Sequence, residues 1–276
     1  MKRFFLVLFL FLTMVSINAQ KQYELFPSNL NIQPFTANNL EPKMGFLFQQ
    51  SGKKIRLDIG NSTDAVNFNL SNTENFSVGI DFFTYTYLYS ENDFHFPVDA
   101  VDYLFGVNFG YKNKSADNEY GIRMRISHIS AHFVDGHRDN INQIWKDNIN
   151  PVVYSREFIE LIPFYKFNNF RIYTGFTYLF HVTPTTIGKE IYQIGVDWFA
   201  KDLICSDITP FAGCDFKLQK IDYYKGNTSV SAGIKIGKPN GRGLSIYYNY
   251  YAGKSIHGEY YYMDEKISSI GFNVDL

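Results

Sequence analysis

The chain has 276 residues, a formal net charge of -1 and an aromatic content of 18%, which comes from 27 Phe and 21 Tyr far more than from two Trp. Because the 26 basic and 27 acidic residues nearly balance, the composition excludes a protein that binds nucleic acid through a basic face. The two cysteines, Cys205 and Cys214, are too few for a disulfide framework and do not have the pattern of a zinc site.

The N-terminus predicts export from the cytoplasm. Two basic residues, Lys2 and Arg3, precede an apolar run over residues 4–15, and the small residue Ala19 offers a cleavage site. These are the three parts of a secretory signal peptide, which we expect to span residues 1–19. The apolar run is shorter than the roughly 20 residues of a spanning helix, which argues against a membrane anchor.

Residues 20–42 show no periodicity and contain Pro27, Pro34 and Pro42. We expect this stretch to be a periplasmic N-terminal lead-in, because proline and the lack of alternation disfavour regular structure. The next domain is then predicted to span residues 43–276.

From residue 43 onward, segments of alternating apolar and polar residues are separated by turn residues, which is typical of β-strands. Many segments exceed the usual strand length of about 5–6 residues, which disfavours a secreted β-sandwich. The pattern predicts an all-β protein, a transmembrane antiparallel up-and-down β-barrel of about twelve strands. The predicted strands cover residues 43–50, 54–60 with an extension to 70 left open, 76–89, 98–112, 118–133, 152–167, 170–183, 189–199, 208–219, 228–237, 243–251 and 266–276.

The two faces of each predicted strand differ in polarity. In the fifth, Ile122, Met124 and Ile126 alternate with Arg123 and Arg125. A barrel in lipid places apolar residues outside and polar residues inside. The same rule predicts the following inward residues: Asp81, Asp102, Arg123, Arg125, Glu160, Arg171, His181, Asp197, Asp215, Lys217 and Lys235.

Charges of both signs on the inward face favour a filled lumen, because a selective pore is more naturally lined by charges of one sign. A small-solute channel remains an alternative.

The lengths of the connections between strands predict the orientation of the barrel. Those after even-numbered strands are short, as at 168–169 and 239–242, whereas 134–151 and 252–265 are long. Short turns face the periplasm in such barrels and long loops face outside. The expected location is the bacterial outer membrane, and the expected partners are its lipids.

Several segments together resemble a bacterial outer-membrane family described only as a domain of unknown function. They cover nearly the whole mature chain and comprise Leu25-Phe26-Pro27, Glu41-Pro42, His128-Ile129-Ser130-Ala131-His132, Tyr154-Ser155-Arg156-Glu157, Gly253-Lys254-Ser255 and Gly258-Glu259-Tyr260-Tyr261. The resemblance implies an outer-membrane barrel without an established activity.

One pair of residues suggests chemistry. His128 and Ser130 lie two apart on the fifth strand, so their side chains share a face, the one predicted to meet lipid. Pairing His132 with Val153 on the next strand places Glu157 opposite His128, where directly opposed Cβ atoms lie about 4.5–5.5 Å apart. Ser130 is then a candidate nucleophile, His128 its base and Glu157 the group that orients the base.

This arrangement resembles that of two families of outer-membrane acyl hydrolases, the phospholipase A and the lipid A deacylases. Both carry a His-x-Ser pair on an outward-facing strand, with Asn as the third member in the phospholipase and Glu in a deacylase. The Asn and Gly that follow the phospholipase serine are absent here, which leaves the oxyanion hole unassigned.

The sequence therefore supports a non-catalytic barrel and an acyl-ester hydrolase as competing interpretations, since His-x-Ser is a short motif. His132, Asp135 and His137 are predicted to form a solvated loop, because their spacing is not diagnostic of a metal site. The sequence leaves open whether they bind metal, and it leaves the cofactor unknown.

Overall fold

A computed structural model describes residues 23–50, 53–91, 95–116, 118–139, 141–201, 203–239 and 241–275. The predicted signal peptide lies outside these residues. The described chain forms fifteen strands and three short 3₁₀ helices, η1 (Asp135–His137), η2 (Lys146–Asn148) and η3 (Gly258–Tyr260). The strands are β1 (Tyr23–Leu25), β2 (Gly45–Gln49), β3 (Lys54–Asn69), β4 (Glu74–Tyr89), β5 (Val98–Lys114), β6 (Asn118–Phe133), β7 (Arg138–Asp139), β8 (Ile144–Trp145), β9 (Tyr154–Phe167), β10 (Phe170–Thr183), β11 (Ile187–Phe199), β12 (Ile208–Ile221), β13 (Tyr223–Gly237), β14 (Gly243–Lys254) and β15 (Asp264–Asp275).

The strands β2–β6 and β9–β15 form a closed antiparallel barrel of twelve strands. The barrel closes where β15 pairs with β2, from Ser269 opposite Gln49 to Asn273 opposite Gly45. The predicted fold class is therefore confirmed, and the open extension of the second strand is resolved because β3 continues to Asn69. β7 and β8 form a separate small hairpin in the connection between β6 and β9. Among the described residues, no helix is long and apolar enough to cross a bilayer.

The barrel is apolar outside and charged inside. Ile80, Phe105 and Ile194 on the outer face are 54%, 49% and 57% exposed, whereas Arg125 and Asp102 on the inner face are fully buried. A protein surrounded by water has the opposite arrangement, since its charged residues are rarely fully buried. This inversion is what a bilayer requires, because lipid replaces water around the outer face.

The two ends of the barrel differ. We call the end that carries the connections 134–153 and 255–263 the loop end, and the end that carries the short connections 70–73 and 168–169 the turn end. The loop-end half of the interior contains a large apolar cluster, which the sequence did not predict. Its buried side chains are Phe83, Tyr85, Leu104, Ile129, Ala131, Tyr154, Phe158, Leu179, Val182, Ile187 and Ile221.

The middle of the lumen is occupied by residues 31–42, which belong to the predicted lead-in. The guanidinium of Arg123 donates to Glu41 with Nη1 2.7 Å from Oε2, and Arg171 Nη1 donates to the backbone carbonyl of Gln33 at 2.8 Å. Buried charges require such partners. The sequence predicted an irregular stretch here, but not that the stretch enters the barrel.

The 255–263 loop closes the interior at the loop end. Asp102, on the inner face of β5, accepts hydrogen bonds from His257 Nδ1 at 2.9 Å and from the Gly258 backbone N–H at 2.7 Å. A Cβ on Gly258 would lie 2.3 Å from Tyr154 Cδ1 and 2.6 Å from the Ala131 Cβ. Only glycine therefore fits at this close approach of the loop to β6 and β9.

Candidate functional site

The candidate site lies on the outer face of β6 and β9, toward the loop end. In the β6–β9 ladder, His128 is paired with Glu157, and Ser130 is paired with Ser155. This is the register that the sequence predicted. Ile129 and Ala131 of β6 and Tyr154 of β9 are buried in the interior, so the alternation turns the site residues outward.

A short hydrogen bond joins His128 to Glu157. The distance from His128 Nδ1 to Glu157 Oε1 is 2.6 Å, and Ser155 Oγ donates to the same carboxylate oxygen at 3.2 Å. Because a carboxylate only accepts hydrogen bonds, we assign the imidazole proton to Nδ1. The other nitrogen, Nε2, then carries the lone pair that can accept a proton.

Ser130 and His128 share the outward face of β6, but no hydrogen bond joins the Ser130 hydroxyl to the imidazole. Neither the hydroxyl nor His128 Nε2 has a hydrogen-bond partner among the described residues. Contacts between a nucleophile and its base are often long without substrate and tighten when substrate binds.

The surroundings of the site are largely apolar. The ring of Phe105 lies 4.9 Å from that of His128, measured between centroids, and Tyr103 is paired with Ser130 across β5 and β6. The His128 and Glu157 side chains are 27% and 28% exposed. The site is therefore open at the surface that meets lipid and half-covered by its aromatic neighbours.

A second histidine contacts the same carboxylate, which the sequence did not predict. His181 Nδ1 is hydrogen-bonded to Glu157 Oε2. The prediction that His181 faces inward is wrong, because the β9–β10 register shifts between Leu179 and His181. This irregularity leaves Phe180 and His181 both exposed, and inward burial resumes at Val182.

The 255–263 loop ties together the ends of the two strands that carry the site. Glu259 Oε1 accepts from the backbone N–H of Phe133 at 3.1 Å, and its Oε2 accepts from that of Val152 at 3.0 Å. Phe133 ends β6, and Val152 lies just before β9. Burial raises the pKa of the Glu259 carboxyl, although these N–H groups act in the opposite direction.

The prediction that His132, Asp135 and His137 form a solvated loop is wrong, because His132 belongs to β6 and His137 is buried. His132 is exposed on the outer face, whereas His137 is fully buried, with Nδ1 2.9 Å from Asp99 Oδ1 and Nε2 3.0 Å from the Ile149 carbonyl. Asp135 is exposed. Within the described ranges, no group of three or more His, Cys, Asp or Glu side chains is placed to hold a metal ion.

Comparison with known proteins gives a family and a fold. The model of the family described as "Protein of unknown function (DUF1207)" matches residues 63–276. Outer membrane phospholipase A from Escherichia coli is similar in structure, with a TM-score of 0.58 and 12% identity over 88% of this chain and 93% of that chain. The outer membrane phospholipase dimer from Salmonella typhi has a TM-score of 0.58 and 12% identity over 89% of this chain and 94% of that chain.

A more distant structure is the β domain of the Bordetella autotransporter BrkA, with a TM-score of 0.44 and 10% identity over 84% of this chain and 97% of that chain. No curated protein sequence matches the chain. At these identities the likeness concerns the fold, which is that of bacterial outer-membrane barrels. The expected location in the bacterial outer membrane agrees with it.

Proposed function

We propose that this chain, which belongs to the family of proteins of unknown function DUF1207, hydrolyses acyl esters of outer-membrane lipids. In this proposal Ser130 is the nucleophile, His128 is the general base, and Glu157 orients the imidazole. The observation that carries the proposal is the 2.6 Å hydrogen bond from His128 Nδ1 to Glu157 Oε1, on the same outward face as a free serine hydroxyl.

The proposed chemistry follows from this geometry. His128 Nε2 takes the proton from the Ser130 hydroxyl as Oγ attacks the ester carbonyl carbon. The imidazolium that forms is stabilised by Glu157 and returns the proton to the leaving alcohol. Water then attacks the acyl-serine with His128 again as base, which releases a fatty acid and restores the serine.

The location of the site supports a lipid substrate. Ester bonds of phospholipids and of lipid A lie between the polar headgroup and the acyl chains, near the ends of the strands. Phe105, whose ring contacts that of His128, and Phe180, which precedes His181, are both exposed and would contact the acyl chains. Exclusion of water there strengthens the interaction of Glu157 with an imidazolium. The outer membrane phospholipase A that the barrel resembles acts, by its name, on such lipids.

The occupied lumen supports an activity on the outer face in preference to the alternative of a small-solute channel. Glu41 is fully buried in the middle of the barrel against Arg123. The apolar cluster and the 255–263 loop close the loop-end half. A filled barrel offers no continuous aqueous path, whereas its outer face remains accessible to lipid.

Fatty-acid release by refolded protein tests the proposal. Phospholipid micelles and lipid A micelles are supplied separately, so that the two ester sources are distinguished. Wild type should release fatty acid from at least one, and Ser130→Ala should not. Ser268→Ala is the matched control, because Ser268 is an outward-facing serine on β15 that bonds to Tyr248. Release by Ser130→Ala, or none by wild type from either lipid, would contradict the proposal.

A further inference from the structure

We propose that His181 is a positioning residue, which holds the Glu157 carboxylate in the orientation that His128 requires. This inference rests on the proposed function. One carboxylate is shared by two imidazoles, with His128 on Oε1 and His181 on Oε2. The two histidines come from β6 and β10, the strands on either side of β9.

The irregularity in β10 is what makes this contact possible. In a regular strand, a residue two positions from the buried Leu179 would also face the interior. The register shift between Leu179 and His181 turns His181 outward, opposite Glu157 in the ladder. Strand irregularities of this kind often re-aim a side chain beside an active site. Here the re-aimed side chain meets the one carboxylate that also binds His128.

The second hydrogen bond fixes the rotation of the carboxylate. Glu157 Oε1 accepts hydrogen bonds from both His128 and Ser155, so these two donors leave Oε2 unbound. Without His181, Oε2 would lose the donor that the structure gives it. A carboxylate at this surface would then turn toward water or the headgroups. His181 acts through Glu157 and does not touch the reacting atoms.

Kinetics of two substitutions test this role. His181→Ala removes the donor, whereas His181→Asn places an amide N–H close to the position of Nδ1. We expect His181→Ala to lower kcat roughly 10- to 100-fold with little change in KM, since a misplaced catalytic group affects the transition state most. His181→Asn should recover most of the loss. His132→Ala, at another exposed histidine, is the control and should match wild type. Equal kcat in wild type and His181→Ala would overturn the inference.

A second measurement does not depend on hydrolysis. Nitrogen-15 NMR of ring-labelled histidine in micelles reports which His128 nitrogen carries the proton. Wild type and His181→Asn should show the Nδ1-protonated form, and His181→Ala should show a mixture of both forms, while heat-modifiable migration on gels confirms folding. An unchanged His128 spectrum in folded His181→Ala would refute the positioning role, even if wild type hydrolyses no lipid.

Discussion

Glu157 places a carboxylate on a surface that meets lipid, yet both of its oxygens accept hydrogen bonds from side chains. A Glu on that face near the membrane edge costs little, so its presence alone carries no functional meaning. What the proposed function uses is the arrangement of its donors, two imidazoles on one carboxylate. In that proposal Ser130, on the same face, is the nucleophile, His128 is the base and Glu157 orients the base.

The three members of the site should differ in how much activity their loss removes. Ser130→Ala and His128→Ala each remove a group that bonds to the proton in transit, so both should reduce hydrolysis to background. Glu157→Gln keeps a hydrogen-bond acceptor but loses the charge, and should retain about 10–100 times more activity than either. Initial rates of fatty-acid release measure the order. Equal rates for Glu157→Gln and wild type would contradict the role of Glu157.

The sequence predicted this pair because period-two alternation and one assumed pairing determine the register of two adjacent strands. It could not predict the contact of His181. Alternation along 170–183 extrapolates through Leu179 without a sign of the register shift, since the apolar residues around it suit either face. One additional residue in a strand reverses every later side chain, so the inward assignment of His181 followed directly from an assumption of regularity.

At the scale of elements, a loop that lies far away in sequence joins the ends of the two strands that carry the candidate site. Glu259 in η3 accepts one backbone N–H from the end of β6 and one from just before β9. These two groups lie where the ladder between the strands ends, with Ala131 opposite Tyr154. The carboxylate thus replaces the ladder hydrogen bonds that are missing there, and it supports the ends of both strands that carry the site.

Glu259→Ala should loosen these strand ends. Two backbone donors lose their acceptor, at about 1–3 kcal/mol each where water cannot replace it. We expect a lower unfolding temperature and a loss of hydrolysis of up to about 100-fold, because small displacements of catalytic groups are costly. Glu91→Ala, at an exposed loop carboxylate bonded to His95, is the control. Wild-type activity in a folded Glu259→Ala variant would show that the loop does not position the site.

At the scale of the whole molecule, residues 31–42 and the loop-end apolar cluster occupy part of the barrel interior, and the outer face carries the candidate chemistry. The twelve strands of the barrel were predictable because their alternation is long and consistent. The occupied lumen was only partly predictable. Mixed inward charges favoured filling, but residues 31–42 have no periodicity that indicates where they lie. The buried pair of Glu41 with Arg123 depends on three-dimensional proximity across 82 positions.

The filled interior predicts negligible ion conductance. In planar bilayers the refolded protein should give no steady large openings, because the 31–42 segment and the loop-end apolar cluster block the lumen. Glu41→Ala leaves Arg123 buried without its main partner and should cost about 3–5 kcal/mol of stability. It should therefore lower the unfolding temperature. Steady, large conductance in wild type would contradict the packed interior and support the channel alternative.

Covalent labelling of the proposed nucleophile tests the central claim most directly. A long-chain alkylsulfonyl fluoride mimics an acyl ester and reacts with an activated serine, with loss of fluoride and formation of a sulfonyl–oxygen bond. Mass spectrometry of labelled, micelle-embedded protein should find one adduct, on Ser130. The adduct should be absent in Ser130→Ala and strongly reduced in His128→Ala, but undiminished in Ser268→Ala. An adduct on Ser155 in place of Ser130, or no adduct in folded wild-type protein, would contradict the account.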